Sequence, residues 1–236
     1  GGWMFQASIS PIWDTGLTVL ALRSAGLPPD HPALIKAGEW LVSKQILKDG
    51  DWKVRRRKAK PGGWAFEFHC ENYPDVDDTA MVVLALNGIQ LPDEGKRRDA
   101  LTRGFRWLRE MQSSNGGWGA YDVDNTRQLT NRIPFCNFGE VIDPPSEDVT
   151  AHVLECFGSF GYDEAWKVIR KAVEYLKAQQ RPDGSWFGRW GVNYVYGIGA
   201  VVPGLKAVGV DMREPWVQKS LDWLVEHQNE DGGWGE

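Results

Sequence analysis

The sequence predicts an all-α protein in which amphipathic outer helices alternate with buried inner helices, as in an α/α barrel. A helical pattern that ends in a Gln and a Gly–Trp turn recurs four times, which accounts for many of the thirteen tryptophans. A second kind of segment, apolar over more of its surface, alternates with it, as expected of buried helices. Four pairs would not close a barrel, so we expect an incomplete one.

The outer-helix repeat has a small residue, an aromatic three later, an aliphatic one after that, a Gln five after the aromatic, and a Gly-rich turn closed by Trp. The four copies are Ala37, Trp40, Leu41, Gln45, Gly50, Trp52; Gly104, Trp107, Leu108, Gln112, Gly116, Trp118; Ala172, Tyr175, Leu176, Gln180, Gly184, Trp186; and Ser220, Trp223, Leu224, Gln228, Gly232, Trp234. The i, i+3, i+4 spacing puts the first three on one helical face. We expect each Gln to stack on, or hydrogen-bond to, the Trp of its own turn.

The inner-helix segments are residues 15–22, 79–86, 150–157 and 198–205. When they are aligned, Trp13, Asp77, Asp148 and Tyr196 fall at one position, which should face a common axis in a barrel. His152 lies four residues after Asp148, hence on the same helical face. It is the single ionisable residue at its aligned position, which favours a functional role.

Three carboxylates, Asp75, Asp77 and Asp78, stand directly before the apolar run 81–86. Acidic residues are common in first helical turns, where they complement exposed N–H groups, so capping alone is one interpretation. One cap needs only one acid, and three acids beside a buried run favour chemistry. Capping then remains as a secondary role for Asp75 or Asp78.

Composition excludes several function classes. The net charge of −5 and the single basic run, residues 55–58, give no sign of nucleic-acid binding. Three distant cysteines indicate a reducing compartment without a disulfide framework, and the four histidines lack metal-ligand spacing. No apolar run is long enough to span a bilayer. Because Gly–Trp turns stand at both ends, we interpret the chain as a piece of a longer protein.

A buried carboxyl cluster suits proton transfer to a carbon–carbon double bond. Burial and like charges raise the pKa of carboxyl groups and keep a proton on the cluster, which would titrate as a set. The carbocation so formed needs a lining that does not attack it, and aromatic faces supply one at about 0.5–2 kcal/mol each. The candidates in turns or at inner-helix starts are Trp13, Phe66, Tyr121, Trp190 and Tyr196.

At these residues the chain resembles the squalene–hopene cyclases, within the class II triterpene cyclases. The matching stretches are residues 75–80 (the acid motif Asp-x-Asp-Asp-Thr-Ala), the four Gln…Trp repeats, 62–66, 115–122, 133–136, 144–152 and 186–191. The resemblance extends over the whole chain. It implies proton-initiated cyclisation of squalene to hopene or hopanol, an isomerase activity with an additional hydro-lyase-type outcome.

The resemblance also implies a role for each matching residue. Asp77 would donate the proton, Asp75 and Asp78 would tune it, and His152 would be hydrogen-bonded to it. The implied substrate-binding residues are Phe66 and Tyr121 for early cations, Trp13 and Trp190 for gripping the polyene, Asp148 and Tyr196 for the polar network, and Phe135 and Cys136 for an entry constriction.

For the whole protein the resemblance implies two α-barrel domains, with residues 1–236 part of the catalytic one. It implies no cofactor and no metal, a polyprenoid substrate, a homodimer, and peripheral attachment to one leaflet at the cytoplasmic face of a bacterial membrane. We expect the isolated chain to be inactive, because residues that complete the barrel and the second domain are absent from it.

Two other interpretations remain open at this point. The chain could belong to a class II cyclase of another polyprenoid, including a diphosphate-bearing one. Alternatively, it could be an α/α-repeat binding scaffold whose acids only cap a helix.

Overall fold

The computed structural model describes residues 9–67, 70–127 and 142–235. Across these residues it has eight α-helices and one short 3-10 helix, Asp51–Val54, and its only β-pairing is in isolated bridges. The α-helices are α1 Pro11–Ser24, α2 Pro32–Ser43, α3 Val76–Asn87, α4 Glu94–Glu110, α5 Glu147–Gly158, α6 Lys167–Gln179, α7 Tyr194–Ala207 and α8 Pro215–Glu226. The predicted all-α class and the alternation of two helix types are confirmed.

The two helix types differ in burial as their sequences predict. The inner helices α3 and α5 are buried over most of their length, whereas the outer helix α6 buries one apolar stripe and exposes its charged side chains. Helix α1 departs from the prediction, since Leu17 is 42% exposed and few of its side chains are buried. Burial is therefore not uniform among the inner helices.

The chain forms two compact units, Gly1–Trp107 and Leu108–Glu236, with the boundary inside α4. In the first unit α1 packs against α3 and α2. In the second unit α5 packs against α7 and α6, and α7 also contacts α8. The α5–α7 contact is close: a Cβ atom at Gly204 would lie 2.5 Å from the carbonyl oxygen of Ala151. Glycine is therefore required there by space.

Hydrogen bonds to the backbone fix the repeated turns. The Gln180 side-chain amide donates to the carbonyls of Gly184 (2.9 Å) and Trp216 (2.7 Å), so it joins its own turn to the next outer helix. The indole N–H of Trp186 donates to the carbonyl of Leu176 (2.8 Å). An indole has one N–H donor, and it is used here, so the hydrogen-bonded form of the predicted Gln–Trp contact is wrong, while the stacked form stays a prediction.

The first copy of the repeat closes at Trp64 and not at Trp52, which corrects the sequence assignment. The Gln45 amide donates to the carbonyl of Gly62 (2.8 Å), and the Trp64 indole donates to the carbonyl of Leu41 (2.7 Å). Residues 46–61 are thus an insertion within the turn. Trp52 belongs to that insertion and packs edge-to-face on Trp107, with ring centroids 5.9 Å apart.

Candidate active site

The acidic stretch folds as the start of α3, with Asp75 as its N-cap. The Asp75 carboxylate accepts hydrogen bonds from the backbone N–H groups of Asp77 (2.7 Å) and Asp78 (3.2 Å). These are two of the N–H groups that a helix start leaves without intrahelical partners. The capping role predicted for one of the flanking acids is thus confirmed, and it belongs to Asp75.

A backbone bridge holds this helix start against the preceding turn. The N–H of Asp75 donates to the carbonyl of Trp64 (2.7 Å), and the N–H of Trp64 donates to the Thr79 hydroxyl oxygen (2.9 Å). The Thr79 hydroxyl in turn donates to the carbonyl of Asp75 (2.6 Å). These three hydrogen bonds therefore fix the position of the helix start that carries the carboxylates.

The second unit repeats the bridge with equivalent residues. The N–H of Ser146 donates to the carbonyl of Trp118 (2.9 Å), and the N–H of Trp118 donates to the Thr150 hydroxyl oxygen (3.0 Å). The threonine that the sequence alignment placed in both inner helices thus has the same role twice. It fixes the start of each helix relative to the preceding turn.

All three carboxylates of the cluster are buried. Asp75 is 5% exposed, Asp77 8% and Asp78 1%. Burial, reinforced by the neighbouring carboxylates of Asp75 and Asp77, raises the pKa of Asp78 to about 9, against the opposing hydrogen bond from Ser10. Close carboxyls titrate as a set, so we assign the retained proton to the cluster. The raised pKa of Asp78 thus favours retention of a proton on the cluster at neutral pH.

Ser10 is a site residue that the sequence analysis missed. Its hydroxyl donates to the Phe66 carbonyl (2.7 Å) and lies 3.3 Å from Asp78 Oδ1, and its oxygen accepts the N–H of Trp13 (3.0 Å). It therefore brings Trp13, Phe66 and the acid cluster together. The signal was available, since Ser directly before Pro11 is typical of a helix N-cap.

Asp148 is completely buried at the start of α5 and fully engaged. Its Oδ1 accepts from the Ser146 hydroxyl (2.6 Å) and from the N–H of Val149 (3.0 Å), and its Oδ2 accepts from the N–H of Trp190 (2.8 Å). The last bond fixes the loop that carries the Trp190 ring. Within the second unit, Asp148 thus places an aromatic residue.

The rings of Tyr121 and Trp190 form an edge-to-face pair, with centroids 6.1 Å apart and planes at 84°. Asp143 supports the Tyr121 side: its Oδ2 accepts from the N–H groups of Tyr121 (2.6 Å) and Asp122 (3.1 Å). Burial raises the pKa of Asp143, while these N–H groups and the charge of Arg189 oppose the shift. Two predicted aromatic residues are thus brought together within one unit.

The helix caps correct part of the inner-helix alignment. Asp77 and Asp148 each lie two residues after the N-cap of their helix, as aligned. Trp13 and Tyr196 lie three residues after theirs, so they match the neighbour of Asp77 instead. Consecutive helical residues point about 100° apart. The four residues therefore do not share one position counted from the helix start, and their facing toward a common axis stays a prediction.

The remaining predicted site residues are placed as follows. His152 is partly buried on α5 in the second unit, whereas Asp77 belongs to the first unit, so their hydrogen bond stays a prediction. Tyr196 is partly buried in the first turn of α7, where its ring lies directly against Gly191. Phe135 and Cys136 lie outside the described residues.

Neither a metal-ligand cluster nor a membrane-spanning helix occurs within residues 9–67, 70–127 and 142–235. No group of three His, Cys, Asp or Glu residues in these ranges is arranged to hold a metal ion. No helix in these ranges is long and apolar enough to cross a membrane.

Comparison with known proteins identifies similar terpene cyclases. The family model described as the squalene-hopene cyclase C-terminal domain matches residues 9–236. A squalene–hopene cyclase from Alicyclobacillus acidocaldarius is 75% identical over 209 residues, which cover 89% of this chain and 33% of the relative. A dammaradiene synthase from Dryopteris crassirhizoma is 46% identical, covering 98% of this chain and 36% of the relative. The chain thus spans about a third of the length of these relatives.

Among solved structures, the type II terpene cyclase MstE from Scytonema in its apo form superposes with a TM-score of 0.63 at 17% identity. The match covers 97% of this chain and 58% of that one. At this identity the likeness shows the fold alone, and that fold is the helical barrel of the terpene cyclases. The match of the family model over nearly the entire chain shows more: the chain belongs to the squalene–hopene cyclase family, within the class II terpene cyclases.

Proposed function

We propose that the full-length protein containing this chain catalyses the proton-initiated cyclisation of squalene to hopene or hopanol. The observation that carries the proposal is the buried three-carboxylate cluster at the start of α3, which keeps a proton at neutral pH. A neutral carboxyl in a low-dielectric site is a group able to protonate an alkene. Family membership gives this cluster its substrate class.

In the proposed reaction, Asp77 transfers its proton to the terminal double bond of squalene. A new C–H bond forms from the π electrons, and a tertiary carbocation is left on the adjacent carbon. The remaining double bonds attack in sequence and close the rings. The final cation either loses a proton, which gives hopene, or captures water, which gives hopanol. The proton count balances in the first case, and one water is added in the second.

The roles of the flanking acids follow from their contacts. Asp75 is engaged as a helix cap, because its carboxylate accepts two backbone N–H groups. Asp78 is the least exposed of the three and shares the retained proton. Asp77 is then the carboxyl assigned to transfer. His152 would stabilise the anion left after transfer by a hydrogen bond to Asp77.

The aromatic residues would stabilise and shape the cation path. Tyr121 and Phe66 would face early cations, while Trp190 and Trp13 would hold the polyene in its folded form. Ring faces stabilise a cation without donating a lone pair that would quench it. Two of these rings, Tyr121 and Trp190, are in contact, and Ser10 bonds the backbone N–H of Trp13 and the backbone carbonyl of Phe66.

Further parts of the proposal concern the whole protein. Asp148 and Tyr196 would belong to the polar network of the site, and Phe135 and Cys136 would line the substrate entry. The protein would act without a metal or organic cofactor, as a homodimer held on the cytoplasmic face of a bacterial membrane. The isolated chain would be inactive, because it supplies only part of the cavity.

A second product class is favoured by one comparison. A relative at 46% identity is a dammaradiene synthase, so a different end point of the same cyclisation is the runner-up proposal. Incubation of the full-length protein with squalene in D₂O, followed by mass spectrometry, tests both. We expect pentacyclic hopene one mass unit heavier than in H₂O, because one solvent-derived deuteron enters at initiation, and hopanol with the same C–D bond plus an exchangeable O–D. A tetracyclic product would favour the runner-up, and recovery of open-chain squalene alone would refute cyclase activity.

A further inference from the structure

The loops that carry Tyr121 and Trp190 are tied to the same short segment, residues 142–143. Asp143 Oδ2 accepts the N–H groups of Tyr121 and Asp122, at 2.6 and 3.1 Å. On the other side, the guanidinium of Arg189 donates to the carbonyl of Ile142 at 2.9 Å. All of these contacts lie within the second unit. The segment therefore joins two loops that are distant in the sequence.

Arg189 extends the connection to the second ring. Its guanidinium carbon lies over the face of Trp190, 5.9 Å from the ring centroid. The N–H of Trp190 is held independently by the Asp148 carboxylate at 2.8 Å. Both rings of the pair are thus held from the backbone by a carboxylate, Asp148 on one side and Asp143 on the other.

The packing around Asp143 leaves little room for another side chain. A Cβ atom at Gly119 would lie 2.8 Å from the Asp143 carbonyl oxygen and 2.8 Å from its Oδ2. The other carboxylate oxygen, Oδ1, is buried and accepts no hydrogen bond from the part of the chain that the structure describes. Burial of a carboxylate oxygen without a hydrogen bond is unfavourable, and the two N–H bonds to Oδ2 offset it.

We propose that Asp143 is a positioning residue for the aromatic pair, and that it sets which cyclisation products form by holding the Tyr121 ring against Trp190. This inference rests on the proposed cyclase function. Asp143 touches no reacting atom in it; it acts only through the backbone of residues 121 and 122. If the Tyr121 ring shifts, a cation forming beside it is less stabilised, and an early intermediate loses its proton before the next ring closes.

The test replaces Asp143 in the full-length protein with Asn and with Leu. The Asn side chain has a carbonyl oxygen where Oδ2 stands, so it keeps both bonds, and we expect kcat/KM within about threefold of wild type. Leu has a similar size but no acceptor. We expect Asp143→Leu to lower kcat/KM by roughly 10- to 100-fold, the range for a misplacement near 1 Å, and to raise the share of incompletely cyclised products.

A matched control separates positioning from general loosening. Asp183 also lies in the second unit and fixes a turn by two bonds, from the N–H (2.9 Å) and the hydroxyl (2.7 Å) of Ser185. Asp183→Leu should leave the product ratio as in wild type. Should Asp143→Leu fail to fold, Asp143→Glu takes its place: it keeps the charge but displaces it by one methylene, and should shift the products in the same direction.

The possible outcomes are distinct. An active protein in which Asp143→Leu or Asp143→Glu leaves the product ratio unchanged would overturn the inference, as would an equal shift in Asp183→Leu. Loss of product specificity in Asp143→Asn would also overturn it, because charge and not the acceptor bond would then be required. Failure of the proposed function is recognised separately, as a wild-type protein that forms no cyclic product from squalene.

Discussion

The raised pKa of Asp78 makes a quantitative prediction about stability. The pKa of an unfolded aspartate is near 4, and in the folded protein that of Asp78 is about 9. The folded state therefore binds one proton more than the unfolded state between these values, and its stability falls as pH rises. Linkage gives a slope of about 1.4 kcal/mol per pH unit for one proton. Between pH 5 and pH 8, the loss amounts to up to about 4 kcal/mol.

Asp78→Asn removes this term while it keeps an oxygen for the Ser10 hydroxyl. Guanidinium-induced unfolding, measured from pH 5 to pH 8, should show a downward slope in wild type and a smaller one in the variant. Glu147, whose pKa burial raises to about 7, contributes to both proteins, so the difference between them isolates Asp78.

Asp183→Asn is the control, because hydrogen bonds from Ser185 lower the pKa of Asp183 and keep it ionised over this range. It should retain the wild-type slope. Parallel stability curves for wild type and Asp78→Asn would refute this prediction, since the pH dependence would then not come from a proton retained through Asp78.

Two substitutions on α7 test the close packing in the second unit. Gly204→Ala places a Cβ atom 2.5 Å from the carbonyl oxygen of Ala151, and backbone shifts of this kind cost about 1–3 kcal/mol of stability. We therefore expect a lower melting temperature, and an unchanged melting temperature would contradict the α5–α7 geometry. A Cβ atom at Gly199 on the same helix would meet nothing within 4 Å, so Gly199→Ala should stabilise the folded protein by about 0.5–1 kcal/mol through helix propensity. A destabilised variant would show that this face of the helix is occupied.

Periodicity was sufficient to predict the helices. The four amphipathic and four more uniformly apolar segments appear in the predicted order, because burial of one face or of most of the surface leaves a direct trace in the sequence. Caps were predictable for the same reason, since Asp75 combines a helix-start position with an acceptor side chain. These features depend on local chemistry.

Features that depend on insertions and register were harder to predict. The repeat spacing favoured Trp52 as the end of the first turn, whereas the hydrogen bonds select Trp64 across an insertion. The better signal was the Gly62-Gly63-Trp64 triplet, which matches the Gly–Gly–Trp of two other copies. A one-residue difference in cap position likewise moved Trp13 and Tyr196 out of the position of Asp77. Spacing alone does not resolve a single residue at a helix start.

Among the site residues, too, local features were predictable and distant contacts were not. Burial of the three carboxylates follows from their place beside an apolar run, but Ser10 and Asp143 act through contacts with residues 20 to 70 positions away, and spacing gives no hint of such pairs. Asp77 and His152 belong to different units, and their hydrogen bond stays a prediction.

The central claim is that Asp77 gives the initiating proton, and turnover of Asp77→Asn in the full-length protein tests it most directly. An amide of the same shape keeps the side chain's packing but has no acidic proton to donate. We predict a loss of squalene cyclisation of at least about 10³-fold, in line with removal of a general acid, with melting temperature and helical circular dichroism as in wild type. Cyclisation at the wild-type rate, with or without lost stability, would contradict the claim. The acid cluster would then have only the structural role of capping a helix.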